Sequence, residues 1–172
     1  MGLLNLFRFL FEMGEHSECL RVSNIALKAV EKETYLHGHL HNSLYSIYWS
    51  QNKLPIARSH LEVALKVMKS HISETSEEYI GIVSNFGNLL SSEGQSEAAV
   101  EKYLHVERVR KEFNHPMNIG QAFIHLGIGR AELQNGNNEE ARRRFNSAME
   151  VVIKEHGENG QYMQELVTPK LT

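Results

Sequence analysis

The sequence predicts an all-α protein of about four similar antiparallel helix pairs, followed by a short C-terminal capping helix. Apolar residues recur at three- and four-residue steps, which is typical of one helix face. Turn residues Gly14, Asn52, Gly94 and Gly136 follow one another at steps of 38, 42 and 42 residues. The same kinds of residue also return at fixed distances from each turn. A period of this length indicates a repeat protein.

Four columns of residues keep their phase across the copies. Their members are Phe7, Tyr45, Gly87 and Gly129 seven positions before the turn, Cys19, Ala57, Ala99 and Ala141 five positions after it, Ser23, Leu61, Tyr103 and Phe145 nine after, and Ala26, Ala64, Val106 and Ala148 twelve after. The small residues in these columns allow two helix backbones to approach closely. We therefore expect the columns to be buried between helices.

The columns resemble the tetratricopeptide repeat (TPR), whose pattern is a large residue, Leu-Gly, an aromatic, a turn Gly, Ala, an aromatic and Ala. The matching residues are Val83, Phe86-Gly87, Leu90, Gly94, Ala99, Tyr103 and Val106 in the third copy, and His125, Ile128-Gly129, Glu132, Gly136, Ala141, Phe145 and Ala148 in the fourth. Glu132 departs from the pattern, which has Leu or an aromatic there. The 42-residue period is similar to the long variant of kinesin light chains and of sensor arrays in STAND-type NTPases.

The copies are predicted at residues 1–34, 35–72, 77–114 and 119–156, with 157–172 as a cap or a truncated fifth repeat. Predicted helices cover 1–13, 17–32, 35–50, 54–69, 119–135 and 138–156. The two helices of the third copy lie on either side of the turn at Gly94, and the second of them runs to about residue 113. Pro55 suits the opening turn of its helix. Ser96 is expected to cap the second helix of the third copy, and Ser73, Thr75 or Ser76 the first.

The two ends of the chain leave alternatives open. Residues 162–167 are in phase with the start of a fifth copy, and both ends fit either a fragment or a trimmed array. The first helix is too short and too interrupted by charge to span a bilayer. Its apolar residues Leu4, Phe9 and Phe11 lie outside the core columns. We expect them to be covered, by a second copy in a homodimer or by preceding residues.

Composition and charge argue against several classes of function, among them nucleic-acid binding and catalysis. The net charge of −3 gives no reason to expect a nucleic-acid partner. A single cysteine, Cys19, excludes an internal disulfide and suits a reducing, cytoplasmic compartment. Neither a membrane segment nor a targeting segment is recognisable. No nucleophile constellation or pair of catalytic carboxylates is evident, so we predict neither catalysis nor a cofactor.

Histidines and arginines form the two other polar clusters. His37 and His41 share a helix face, while His39 points away, and Glu33 stands four residues before His37. Imidazoles are good ligands for zinc, copper or nickel. Because His41 occupies a packing column, we nevertheless predict no metal site. The basic runs Arg142–Arg144 and Arg108/Arg110/Lys111 are expected to be solvated faces of second helices.

The TPR resemblance implies that the first helices line a concave groove that receives peptides. The groove positions are Leu4, Arg8 and Phe11 in the first copy, His39, Asn42, Ser46 and Trp49 in the second, Ser84, Asn85, Asn88 and Ser91 in the third, and Phe123, Arg130 and Leu133 in the fourth. Asparagine amides can bond a peptide backbone as donor and acceptor, and Trp49 is either an anchor or a packing residue. Arg8 and Arg130 stand too far apart to clamp one chaperone-tail carboxylate.

The sequence thus predicts a non-catalytic interaction scaffold that binds a protein or peptide segment. Two alternatives remain: a regulatory or ligand-sensing repeat domain of a larger enzyme or STAND-type switch, and a histidine-dependent metal enzyme.

Overall fold

The computed structural model describes residues 3–157, apart from the side chains of residues 3, 4, 8, 12 and 156. These residues form helices and no strand, as predicted. The helices are α1 (Leu3–Glu12), α2 (His16–Ala29), α3 (Tyr35–Ser50), α4 (Leu54–Lys69), α5 (Glu77–Ser92), α6 (Ser96–Glu112), α7 (Ile119–Gln134) and α8 (Asn138–His156). The predicted capping segment 162–167 lies outside the described residues.

The chain divides into two compact units, Met1–Ile82 and Val83–Thr172, and α5 contributes to both. In the first unit, a buried cluster packs α1 and α2 against α3; its members are Phe7, Cys19, Leu44 and Ile47. In the second unit, a cluster packs α7 against α8; its members are Ala122, Leu126, Ala148, Val151 and Val152. Both cores come from apolar stripes on neighbouring helices.

All four predicted turns are confirmed, and they share one backbone geometry. Gly14, Asn52, Gly94 and Gly136 have φ values of 74°, 56°, 78° and 83°. At each turn, the amide of the following residue donates to a carbonyl five residues back, as in the 2.9 Å bond from Gln95 N to Leu90 O. This is the Schellman arrangement, which satisfies the last carbonyls of the preceding helix. Asn52 takes the place of glycine because asparagine tolerates the left-handed region better than most residues.

The residue columns are confirmed as packing positions. All four small residues of the first column after the turn are buried, as are Ala64, Val106 and Ala148 of the last column; Ala26 is only partly buried. A Cβ added at Gly87 would lie 2.8 Å from the Tyr103 ring. One added at Gly129 would lie 2.6 Å from the Phe145 ring. These glycines therefore make room for a large ring of the neighbouring helix.

Helix starts follow the expected chemistry only in part. Ser76 caps α5 by accepting from the Tyr79 amide at 3.2 Å, and Pro55 lies in the first turn of α4. The cap predicted at Ser96 is wrong. Ser96 is already inside α6, and its buried hydroxyl donates to Gln134 Oε1 on α7 at 2.7 Å. The hydroxyl that would have capped the helix is instead bonded to Gln134, a residue distant in the chain.

The predicted solvated position of Arg110 is also wrong. Its side chain is only 3% exposed. The guanidinium donates to the Pro116 carbonyl at 2.7 Å, to Asn118 Oδ1 at 2.8 Å and to Gln121 Oε1 at 3.0 Å. Hydrogen bonds to these oxygens compensate for the removal of the charged group from water. Arg110 thereby ties the loop between α6 and α7 to the start of α7.

Candidate functional site

In the first unit, α3 carries four of the predicted groove residues. One of them, His39, contacts both a carboxylate and an aromatic ring. His39 Nε2 contacts Glu78 Oε1 on α5, and its ring meets the ring of Tyr35 edge-on at 4.5 Å. The Tyr35 hydroxyl donates to the same carboxylate at 2.9 Å. His39, Tyr35 and Glu78 therefore form one polar cluster that joins α3 to the start of α5.

The other three predicted residues on α3 are half-buried. The Trp49 ring stacks on Tyr45 with centroids 6.4 Å apart, and Tyr45 is fully buried in the unit. Ser46 donates to the Asn42 carbonyl at 3.3 Å. One side of Trp49 thus has a packing role, and the part of its ring that remains accessible can contact a partner.

In the second unit, Asn88 and Tyr103 are joined by a direct hydrogen bond. The Tyr103 hydroxyl donates to Asn88 Oδ1 at 2.7 Å. The ring occupies the space left by two glycines, because a Cβ at Gly87 would lie 2.8 Å from it and one at Gly127 only 2.5 Å. Tyr103 is 2% exposed. It therefore reaches from α6 to Asn88, a predicted groove residue of α5, while packing against α7.

This bond fixes the orientation of the Asn88 amide. Because Oδ1 accepts the hydroxyl proton, the Nδ2 group is the part of the amide left to donate to a ligand. Burial raises the pKa of Tyr103, while the nearby charge of Arg130 partly opposes that shift. The hydroxyl thus keeps its proton and remains the donor at neutral pH. Arg130 itself is exposed on α7.

Polar and aromatic side chains of α5 and α7 flank this bond. Ser91 on α5 donates to Gln134 Oε1 on α7 at 2.9 Å, and that oxygen also accepts from Ser96. Ser84 and Asn85 are half-buried on α5. On α7, Phe123 is 46% exposed and Leu133 is 44% exposed. We call the set Ser84, Asn85, Asn88, Ser91, Phe123 and Arg130 the α5/α7 face.

Two contributors to this face are not evident from the sequence. Tyr103 occupies a core column, and the repeat pattern therefore predicts a buried ring. Nothing in the nearby sequence indicates that its hydroxyl bonds to Asn88. Gln134 ends α7 and reaches serines on two other helices. The sequence offers one indication of the Tyr103 contact. Gly87 and Gly127 both lack a side chain, and the two helices that carry them leave space for the same tyrosine ring.

In the first helix, the predicted groove and self-association residues have different surroundings. Phe11 is half-buried, packs against the Phe7 cluster and stacks on His16 at 5.3 Å. Phe9 is 50% exposed. The side chains of Leu4 and Arg8 lie outside the described residues. Of the self-association set, Phe9 is the described residue whose surface is available to a partner.

The basic run on α8 is divided between solvent and ion pairs. Arg142 and Arg143 are exposed, as predicted, and Arg143 contacts Glu140. Arg144 is more buried and donates at 2.7 Å both to Glu140 and to Glu107 on α6. The run therefore combines a solvated patch with a link between α6 and α8.

Two features are absent from residues 3–157, a metal-binding cluster and a membrane-spanning helix. No group of three or more histidine, cysteine, aspartate or glutamate side chains is arranged there to hold a metal ion. None of the described helices is both long enough and apolar enough to cross a membrane.

Comparison with known proteins identifies the fold. No family model matches the chain, and no curated protein matches it. Among solved structures, BtubC (BKLC) from P. vanneervenii superposes with a TM-score of 0.73 at 16% identity, over 94% of this chain and 65% of that one. A point variant of a Podosopora anserina protein with nearly identical TPR-like repeats, assigned to the kinesin light chains, gives 0.68 at 16% identity, over 89% and 74%.

The apo form of RapI gives a TM-score of 0.67 at 17% identity, over 95% of this chain and 45% of that one. This chain thus spans between just under half and about three quarters of the lengths of these three proteins. The chain has a TPR-type repeat fold, as the residue columns indicate.

Proposed function

We propose that this chain is a non-catalytic protein-interaction module and that the α5/α7 face binds an extended segment of a protein partner. The bond between Tyr103 and Asn88 carries the proposal. A surface amide normally rotates and exchanges partners with water, so ordering it on binding has an entropic cost. Here Tyr103 holds the amide in place before the ligand arrives. Nδ2 is then directed as a donor for a backbone carbonyl of the partner.

The neighbours of Asn88 suit a peptide rather than a small ligand. Phe123 offers an exposed aromatic surface, and Arg130 offers a guanidinium for an acidic or carbonyl oxygen. Ser84 and Asn85 add hydroxyl and amide groups on the same helix. Such a combination of fixed polar groups and one aromatic contact is typical of surfaces that recognise an extended chain.

In the first unit, α3 offers a second set of contacts to a partner. Trp49 supplies an aromatic anchor whose inner side is supported by Tyr45. Ser46 stands about one helical turn away from it and Asn42 about two. Large rigid aromatics of this kind often dominate binding energy. We expect Trp49→Ala to weaken a partner that reaches α3 by about 1–2 kcal/mol.

A displayed peptide library selected on the full chain tests the proposal. The affinity of the selected peptide is then measured by calorimetry for the unmodified chain and for Asn88→Asp. This change keeps the oxygen that accepts from Tyr103 and removes the Nδ2 donor. We expect about tenfold weaker binding, as for the loss of one buried hydrogen bond.

Asn146→Asp provides the matched control, because Asn146 is an exposed asparagine on α8. It introduces the same charge at a distant surface and should leave the affinity unchanged. If Asn88→Asp and Asn146→Asp have equal effects, or if Arg142→Ala alone abolishes binding, the α5/α7 face is not the site.

A further inference from the structure

Three imidazoles from two helices meet in the first unit. His37 and His41 lie one turn apart on α3, with ring centroids 4.6 Å apart. His60 of α4 lies 4.9 Å from His41 by ring centroids. His60 in turn stacks almost parallel on Tyr48, at 5.4 Å and 7°. We call His37, His41 and His60 the histidine cluster.

The central contact of the cluster is a bond between two nitrogens of the same kind. His41 Nδ1 and His60 Nδ1 are 2.9 Å apart. Such a bond requires a proton on one nitrogen and a lone pair on the other. The pair can take up a first additional proton at a ring nitrogen outside the bond. A second one must occupy the accepting Nδ1, which removes the bond and places two cations in contact.

Among the described residues, no carboxylate is among the charges that shift the pKa of His41. His37 Nδ1 is buried without a hydrogen-bond partner among the described residues. On α4, Arg58 pairs with Glu62 at 3.7 Å, and Lys53 lies over the Tyr48 ring at 5.9 Å. Glu62 and Lys53 thus contact residues outside the histidine cluster.

Carboxylates of the neighbouring helices α2 and α5 likewise contact residues outside the histidine cluster. The buried cluster that joins α1 and α2 to α3 contains no acidic residue; its members are Phe7, Cys19, Leu44 and Ile47. The α2 carboxylate Glu18 is bonded to Arg21 of the same helix. On α5, the carboxylate of Glu78 is already shared by His39 and Tyr35.

We propose that the histidine cluster is a pH-sensitive latch that holds α3 against α4 when neutral and releases them when protonated. Because α3 also carries Asn42, Ser46 and Trp49, its release would alter a second surface of the same helix. The latch itself is independent of the proposed peptide binding, and its test requires no partner.

The pKa shifts of His41 and His60 agree with a latch that is closed when neutral. Burial, together with the charges of His60 and His37, lowers the pKa of His41 to about 4. Burial also lowers the pKa of His60. In an opened or unfolded chain, these imidazoles bind protons near the ordinary histidine pKa of about 6.5. The stabilisation by the latch is therefore complete above about pH 6.5 and is lost as the pH falls toward 4.

Hydrogen exchange of the full chain tests the latch. The opening equilibrium of the α3 and α4 amides is measured at pH 7.5 and pH 5, after correction for the intrinsic exchange rate. We expect opening to increase about tenfold in the unmodified chain, after allowance for partial solvent screening. His41→Asn places an amide near the Nδ1 position but does not titrate, so its increase should be at most about threefold.

His105→Asn is the control, since His105 is exposed on α6, and it should behave as the unmodified chain does. His125 is present in all three proteins, so its titration cancels in the comparison. Equal acid responses of the unmodified chain and His41→Asn would overturn the proposal.

Should His41→Asn fail to fold, an NMR titration of the unmodified chain decides. The latch requires His41 and His60 to take up protons below the ordinary imidazole pKa of about 6.5. Titration of both residues near pH 6.5 would contradict it.

Discussion

The hydroxyl of Tyr103 on α6 donates to Asn88 Oδ1 on α5 at 2.7 Å, and this contact joins the packing of the second unit to its candidate binding face. The ring that makes the bond fills the space beside Gly87 and Gly127. The position of the Asn88 amide therefore depends on two glycines that make room for the Tyr103 ring. A change at either glycine should alter stability and binding together.

Gly87→Leu should reduce the free energy of unfolding by about 1–3 kcal/mol, because its side chain would overlap the Tyr103 ring. Chemical denaturation of the purified chain measures the loss. Gly81→Leu is the matched control on the same helix: Gly81 is exposed, and a Cβ there meets nothing within 4 Å. Because leucine favours helix more than glycine does, this control should be as stable as the original or more so. Equal midpoints for both variants would contradict the packing described for Tyr103.

Asn52→Ala should reduce stability by about 1 kcal/mol, since alanine must adopt a left-handed φ of 56° at this turn. Asn52→Gly should leave stability within a few tenths of a kcal/mol or increase it, because glycine adopts that conformation freely. Urea denaturation of the two variants separates these outcomes. If both substitutions lower the midpoint equally, the Asn52 side chain, and not its backbone conformation, supports the turn.

Some features of this structure can be predicted from the sequence and others cannot. What separates them is whether the interaction is local in the chain or joins distant helices. A left-handed turn and a small residue facing a helix are local requirements, so Gly94 and Ala99 repeat with the period. The partners of Arg110 and Ser96 lie on another helix, and nothing within one copy indicates them. Tyr103 shows both cases, because its column predicts the buried ring but not the hydroxyl bond to Asn88.

Phe9→Glu tests the predicted self-association through α1. Phe9 is 50% exposed, and covering the exposed half of its ring is worth about 1 kcal/mol, roughly half of the value for full burial. We expect light scattering to report a dimer at micromolar concentration and a monomer after the substitution. Phe11 is unsuitable for this test because it packs against the Phe7 cluster.

Phe113→Glu is the control for that experiment, as Phe113 is exposed to a similar degree at the end of α6. It should leave the dimer intact. A monomer at every concentration of the unmodified chain would show that the exposed Phe9 ring is tolerated in water.

Protein prepared without a histidine tag should contain no stoichiometric zinc, nickel or copper. The reason is the bond between His41 and His60, which occupies both Nδ1 atoms with one shared proton. Elemental analysis by mass spectrometry checks this. One bound equivalent that disappears in the double variant His37→Ala with His41→Ala would instead make the histidine cluster a metal site.

The most direct measurement of the central claim is an NMR titration of the full chain with a peptide selected from the library. The side-chain amide of Asn88 and the backbone amides of Ser84, Asn85, Ser91, Phe123 and Arg130 are followed as the peptide is added. We predict that the Asn88 Nδ2 signal shifts most, that the other α5/α7 signals follow with the same dissociation constant, and that Asn146 does not respond. Shifts confined to Arg142, Arg143 and Asn146 on α8, with the Asn88 amide unmoved, would contradict the account.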